Sequence, residues 1–285
     1  MPPQRCVNLS AQHVYQQHAS SRRQPFPCVR PLLAGFAALT VATLGAFAAP
    51  KTGLDQPLVL TQVPVESAPP AANATPAGPV RADWFAGARL VVVAPDGQLH
   101  VLSQGFDSAC DPNVSFDGQR VLFAGRKARG DHWRIWEIGV DGKGLRPVTP
   151  ENLEARNAIH VSTLFTLDSP KPWFTTVFVG REIAAAGVAS PWSLYNIKLE
   201  GGEVRQLTFT PGDSLDPFQT ADGKLVYAAE RIPQEPGTAG RRLGLFAIHI
   251  EGADNELYGA TRGARFQQMP CATEQGLVVF VETAT

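Results

Sequence analysis

The chain has 285 residues and a formal net charge of −1, with 25 basic against 26 acidic side chains. Such a balance gives no basic field to hold nucleic acid and no acidic excess of the kind that keeps a chain unfolded. The length accommodates one well-packed domain of about 200 residues together with extensions.

Residues 1–30 contain Arg5, Arg22, Arg23 and Arg30 and no acidic residue, and an uncharged stretch follows from Pro31 to Pro50. Ala46-Phe47-Ala48 places small residues where a signal peptidase reads, so residues 1–48 are expected to be an export signal cleaved near Ala48. The competing reading is an uncleaved anchor, because an apolar run of about 18–20 residues just spans a bilayer. The expected location is therefore periplasmic or secreted, with inner-membrane anchoring as the alternative. Residues 49–86 shift to Pro, Ala, Thr and Val. Their prolines deny helix and ladder hydrogen bonds, so a disordered spacer is expected there.

From residue 87 to 285 the pattern is that of strands. Arg89 to Val93 and Leu99 to Leu102 flank a Pro95-Asp96-Gly97 turn, predicting a leading hairpin. Asp111-Pro112 and Asp117-Gly118 then return as Asp216-Pro217 and Asp222-Gly223, with the same offset of 105 residues (216 − 111 and 222 − 117). Each copy predicts a strand, a tight Asp-Gly turn and an apolar strand. A further strand pair follows each, from Trp133 to Val140 and from Leu245 to Ile250, and a short segment running to Thr149 or Thr261 closes the unit.

Four strands per unit is the blade of a β-propeller, and the interval is too long for one blade of about 40–50 residues. A less regular middle unit fits between, from Phe174 to Gly180 through Ser193 to Leu199 and Val204 to Thr208. A trailing hairpin starts at Met269-Pro270-Cys271 and continues into Leu277 to Val281. The expected fold class is all-β, a propeller of four-stranded antiparallel blades, incomplete or divergent. It would comprise a leading hairpin, three full blades and a trailing hairpin. The two hairpins either complete each other as a shared closing blade or belong to a larger ring cut short; an incomplete ring would leave bare sheet edges that invite aggregation, and a truncated or divergent larger propeller is preferred.

Candidate chemistry is sparse. Asp111 and Asp216 open inner strands, where their carboxylates either shape turns or line the rim of a central channel and meet a ligand or cation. A residue that repeats with the architecture is usually structural. His160, near a predicted inner strand, is a candidate ligand, although no histidine pair has metal-ligand spacing and no metal site is assigned. Trp133, in the Asp131-His132-Trp133 loop, is a candidate contact for a partner. Cys110 and Cys271 both begin inner strands. They are read as buried small side chains or, if the ring brings them together in an oxidising compartment, as a disulfide. The sequence contains no Gly-x-Ser-x-Gly, P-loop, His-Glu-x-x-His or Cys-x-x-Cys-His, so no catalytic residue and no cofactor is assigned, and no covalent haem attaches to these residues.

The string from Asp111 to Gly125, followed by Ile135-Trp136-Glu137-Ile138 and Asp141-Gly142, resembles the WD-like repeats of TolB-type β-propellers, and Asp216-Pro217, Asp222-Gly223 and Leu207-Thr208 match as well. Within that group, Ser108 to Pro112 leading to Leu122 to Lys127 and Trp133 to Glu137 looks like the middle propeller domain of the hydrazine synthase alpha subunit family. The resemblance implies an exported protein associated with c-type cytochrome chemistry, but the haem-binding motifs of that family are missing. The expected function is accordingly a non-catalytic exported scaffold that binds another protein or a small ligand. The alternative is a subunit or fragment of a hydrazine-synthase-alpha-like redox enzyme without its haem domain. A third reading is the propeller gate of a hydrolase. Nucleic acid is not expected as a partner, and a membrane tether follows only if the signal stays uncleaved.

Overall fold

The computed structural model describes residues 54–64, 86–162, 174–183, 190–231, 242–259, 266–273 and 275–283. The expected export signal lies outside the described residues. Among the described residues, no helix is long and apolar enough to cross a membrane.

Three antiparallel sheets repeat one plan. The first holds β4 (Ser108–Val114), β5 (Arg120–Arg126), β6 (Arg134–Gly139) and β7 (Arg146–Pro147) in sequence order. The second holds β8 (Leu153–Ser162), β9 (Phe174–Glu182), β10 (Ser193–Lys198) and β11 (Arg205–Gln206). The third holds β12 (Ser214–Gln219), β13 (Lys224–Glu230), β14 (Leu243–His249) and β15 (Glu256–Leu257). Before them stands a sheet of β1 (Leu58–Gln62), β2 (Arg89–Val93) and β3 (Leu99–Val101), and after them a hairpin of β16 (Phe266–Ala272) and β17 (Val278–Thr283), which joins the third sheet through one parallel pair, Leu243↔Phe266. The first strands β4, β8, β12 and β16 pack in succession, so they line a common axis.

Side-chain alternation explains why the sheets stack. Val121 and Phe123 of β5 enter one cluster with Trp136 of their own blade and Leu90 and Leu102 from the leading side, whereas Leu122 and Ala124 enter a second cluster with Ala155, Phe178 and Tyr195 from the next blade. Because successive side chains leave opposite faces, a strand buried on both sides is apolar throughout. Val177, Val179 and Leu194 do the same toward the third blade, meeting Leu225 and Leu245. The core is therefore a series of interfaces between blades.

The Thr that ends each unit has a specific task. Thr149 Oγ1 accepts the N–H of Ile135 at 3.0 Å, Thr208 Oγ1 that of Leu194 at 2.9 Å, and Ser103 Oγ that of Leu90 at 2.9 Å. The preceding residues, Val148, Leu207 and Leu102, donate back to the carbonyls of Ile135, Leu194 and Leu90. All three hydroxyls are buried. In the third blade Tyr258 makes the returning bond to Leu245, Gly259 takes the hydroxyl position, and Thr261 lies outside the described residues.

These clamps correct the expected leading hairpin. Leu90 and Ser103 occupy the places of Ile135 and Thr149, so β2 and β3 are the third and fourth strands of a blade. The second strand is β1, paired antiparallel with β2 from Leu58↔Val93 to Gln62↔Arg89. Leu58–Gln62 had been assigned to the disordered spacer, and the propeller region consequently starts before residue 87. The run Leu58-Val59-Leu60-Thr61-Gln62 contains no proline between Pro57 and Pro64, so every ladder N–H is present. In the middle blade the innermost strand is β8, ahead of the expected Phe174–Gly180 segment. Among the described residues the leading sheet and the trailing hairpin share no packed interface, so they do not form a shared closing blade.

Replacing Thr149 or Thr208 by Val removes the acceptor of a buried N–H at constant shape and should lower unfolding free energy by about 1–3 kcal/mol. Serine at either position should retain most of that stability in urea denaturation.

Candidate functional site

The axial surface is built from one device used four times. Asp111, Asn157, Asp216 and Met269 have φ of 55°, 46°, 51° and 54°, in the left-handed region that few side chains adopt. Each sits at a register shift in an innermost strand, between Cys110 and Asn113, Arg156 and Ile159, Leu215 and Phe218, and Gln268 and Cys271. Two inner residues thus oppose one on the second strand, a β-bulge. By register that one residue is Phe123, Phe178, Tyr227 or Phe280. The second bulge residue has no ladder partner for an N–H, which is why Pro112, Pro217 and Pro270 are accepted inside a strand.

The first bulge residues connect neighbouring blades. The Asp111 carboxylate takes the backbone N–H of Asn157, and Asp216 Oδ2 takes that of Met269 at 3.1 Å. Asn157 Nδ2 donates to Asp216 Oδ1 at 2.9 Å. Farther along the same strands, Asn113 Oδ1 accepts the N–H of His160 at 2.8 Å, and Gln219 exchanges two bonds with the backbone of Ser162, at 3.1 and 2.8 Å. The axial lining is thereby stitched blade to blade. A cavity of about 70 Å³ opens beside it, lined by Asn157, Asp216, Phe218, Met269 and Cys271 among others.

Burial raises the Asp111 carboxyl above the usual range, with the Arg156 charge opposing the rise. Burial also pushes Asp216 up to about 6, helped by the Asp111 charge and opposed by the Met269 and Asn157 bonds. The turn carboxylates behave oppositely: hydrogen bonds from Ser115 and Thr220 lower Asp117 and Asp222. The oxygens of Asp111 and Asp216 are engaged in holding adjacent blades together.

His160 is buried, and burial lowers it to about 4, so it is neutral at pH 7. Its Nδ1 lies 2.9 Å from Asn113 Oδ1, an acceptor only, which fixes the tautomer with hydrogen on Nδ1. Among the described residues no group of three His, Cys, Asp or Glu side chains gathers at metal-binding distance. Cys110 and Cys271 are free thiols, not a disulfide: Cys110, on β4, is enclosed in the core between the first and second blades, and Cys271 lines the cavity on β16, the third innermost strand beyond it.

Trp133 is not available to a partner, being 2% exposed. Its ring lies between two guanidinium groups, Arg126 at 5.2 Å and Arg156 at 4.8 Å. Trp192, the matching residue of the next blade, lies between Arg156 at 5.7 Å and Arg181 at 4.4 Å. Glu154 meets two of the three guanidinium groups, Arg181 at 2.6 Å and Arg156 at 3.7 Å, and Asp107 meets Arg126 at 3.0 Å. Desolvated cation–π contacts of this kind pack the blade interfaces at one end of the channel. Trp136 packs between blades as its repeat position suggests, and its indole donates to the Gly125 carbonyl at 3.1 Å.

At the opposite end, two aromatic rings are open to solvent. Phe116, in the β4–β5 turn, is 46% exposed, and Phe174, at the start of β9, is 50% exposed, with ring centroids 5.8 Å apart. The sequence reading passed over both, because each resembles an ordinary strand-end apolar residue until the fold brings them together.

Radial four-stranded blades with a bulged axial lining define a β-propeller. No family model matches the chain. It is 38% identical over 176 residues to hydrazine synthase subunit alpha of Kuenenia stuttgartiensis, in an alignment covering 46% of this chain and 22% of that protein. In fold it is similar to the solved hydrazine synthase of the same organism, with TM-score 0.61 and 20% identity over 80% of this chain and 35% of that one. TolB from Acinetobacter baumannii matches with TM-score 0.38 and 17% identity over 60% of this chain and 37% of that one. The chain thus spans about a fifth of the curated relative (22%), and the similarity covers 46% of this chain in sequence and 80% of it in fold.

Two outcomes follow from the bulges. An unfolded aspartate ionises near pH 4 whereas folded Asp216 stays protonated to about 6, so its contribution to stability should fall as pH rises through that window and stay low above it. Urea denaturation against pH should show the wild type losing roughly 1–3 kcal/mol relative to Asp216→Asn between pH 4 and 7. Met269→Asn places a residue tolerant of positive φ at the fourth bulge and should add about 0.5 kcal/mol, while Met269→Val should subtract more than about 1 kcal/mol in the same assay.

Proposed function

We propose that this protein is an exported, non-catalytic β-propeller scaffold that binds an apolar segment of another protein at the channel mouth bearing Phe116 and Phe174. The observation that carries this reading is the exposed aromatic pair. Exposed aromatic rings held by a rigid frame are typical anchors of protein interfaces, because their large apolar area is desolvated with little ordering of the partner surface. Phe116 is set by the Asp117-Gly118 turn, where Ser115, Asp117 and Arg120 are linked by hydrogen bonds, so its position is fixed before any partner arrives. Export rests on the arginine-bearing N-terminal region and the apolar run ending at Ala48.

A second reading is favoured by the 38% identity to a protein named as a subunit of hydrazine synthase: the chain serves as a subunit or fragment of a related redox assembly, with the haem chemistry carried elsewhere. The two readings share the mouth as a docking point and differ in the partner.

Affinity capture from the exported fraction of the native host, using wild type and Phe116→Ala/Phe174→Ala, tests both. The wild type should retain a partner that the double variant binds at least about tenfold more weakly. Equal retention by a double variant of unchanged stability would contradict the mouth as the binding site, and a haem absorption band in the captured complex would select the second reading.

A further inference from the structure

The two ends of the blade series are complementary. The leading sheet supplies the third and fourth strand types, β2 and β3, with β1 standing in for a second strand. The trailing hairpin supplies a first and a second strand, and among the described residues nothing pairs with the outer edge of β17. Val279, Phe280 and Val281 of that strand are exposed, Val279 by 58%.

Register shows how they fit. In each full blade the aromatic opposite the bulge pairs with the residue after the clamped third-strand position: Phe123↔Trp136, Phe178↔Tyr195 and Tyr227↔Phe246. On β2 that residue is Val91, now paired with Leu60 of β1. Phe280 is the corresponding aromatic of the trailing hairpin, so β17 laid on β2 gives Val279↔Val92, Phe280↔Val91, Val281↔Leu90 and Glu282↔Arg89. The last pair sets opposite charges across the ladder, where β1 offers only neutral Gln62 to Arg89, at 2.7 Å. β1 is also the poorer occupant: it is mostly half-buried, whereas the central residues of β5, β9 and β13 are fully buried.

We infer that β1 is a placeholder and that β17 of one copy displaces it from β2 of a second copy. The shared blade then reads β16, β17, β2 and β3. Closure within one chain would give a four-bladed ring, yet among the described residues the leading sheet and the trailing hairpin do not pack on each other. Two copies exchanging hairpins reciprocally supply three full blades and one shared blade each, 2 × (3 + 1) = 8, within the range of blade numbers that propellers adopt. The exchange buries the apolar edge strand.

Sedimentation velocity of the full-length protein over a wide concentration range, with circular dichroism to establish that each variant folds, tests this. A concentration-dependent dimer is expected. Leu60→Pro, which weakens β1, should increase the dimer, and Phe280→Asp should abolish it. Arg89→Glu should weaken dimerisation by about threefold, with Arg89→Glu/Glu282→Arg restoring it. Oxidised Val92→Cys/Val279→Cys should migrate at twice the chain mass on a non-reducing gel. A monomer at every concentration, a dimer indifferent to Phe280→Asp, or a cross-link closed within a single chain would each overturn the inference.

Discussion

The structure depends on the contact between a bulged residue on one innermost strand and the main chain of the next. A propeller blade is a twisted sheet whose two faces are both covered, and area burial alone leaves neighbouring blades free to slide. The bulge removes that freedom at the axis. It turns a side chain out of the ladder and toward the adjacent strand, where the carboxylates of Asp111 and Asp216 receive the N–H groups of Asn157 and Met269. The left-handed backbone this requires is unfavourable for most residues, and Asp and Asn adopt it most readily among side-chain-bearing types. The same chemistry that makes these residues tolerable at the bulge supplies the oxygen that binds the next blade.

This double use gives the raised carboxyl groups of Asp111 and Asp216 a structural cause. Raised carboxyl pKa values often mark reactive centres, but a structural network perturbs them equally well. Here the cause is enclosure by packed blades, and the hydrogen bonds that oppose the rise come from the adjoining bulges. The cation–π stack of Arg126, Trp133, Arg156, Trp192 and Arg181 fixes the blades at one end of the barrel-like lining, and the clamps at Ser103, Thr149 and Thr208 lock their outer halves. A frame constrained at three radii is suited to presenting surface groups such as the Phe116–Phe174 pair.

What could be read from the sequence is what recurs at constant spacing. Asp-Pro and Asp-Gly announce the first and third blades because the distance from bulge to opposing aromatic is nearly the same in both, 123 − 111 = 12 and 227 − 216 = 11 residues. In the middle blade that distance is 178 − 157 = 21, and Asn157-Ala158 replaces Asp-Pro, so the inner strand escaped notice although Asn is the natural substitute at positive φ. β1 was hidden by the prolines around it. Composition averaged over residues 49–86 indicates a spacer, yet five proline-free residues suffice for a strand once β2 offers an edge. Trp133 was misjudged because a polar loop precedes it. Arg156, which only the fold brings to within 4.8 Å of the ring, covers it together with the blade core.

Amide hydrogen exchange at Asn157 and Met269 measures the central contact directly. Neither bulge N–H belongs to its own strand's ladder, so protection can arise only from the carboxylate of the preceding blade. The account predicts exchange as slow as in the flanking strands, with protection lost at Asn157 in Asp111→Ala and at Met269 in Asp216→Ala while the sheets stay protected. Rapid exchange at both amides in the folded wild-type protein would contradict it.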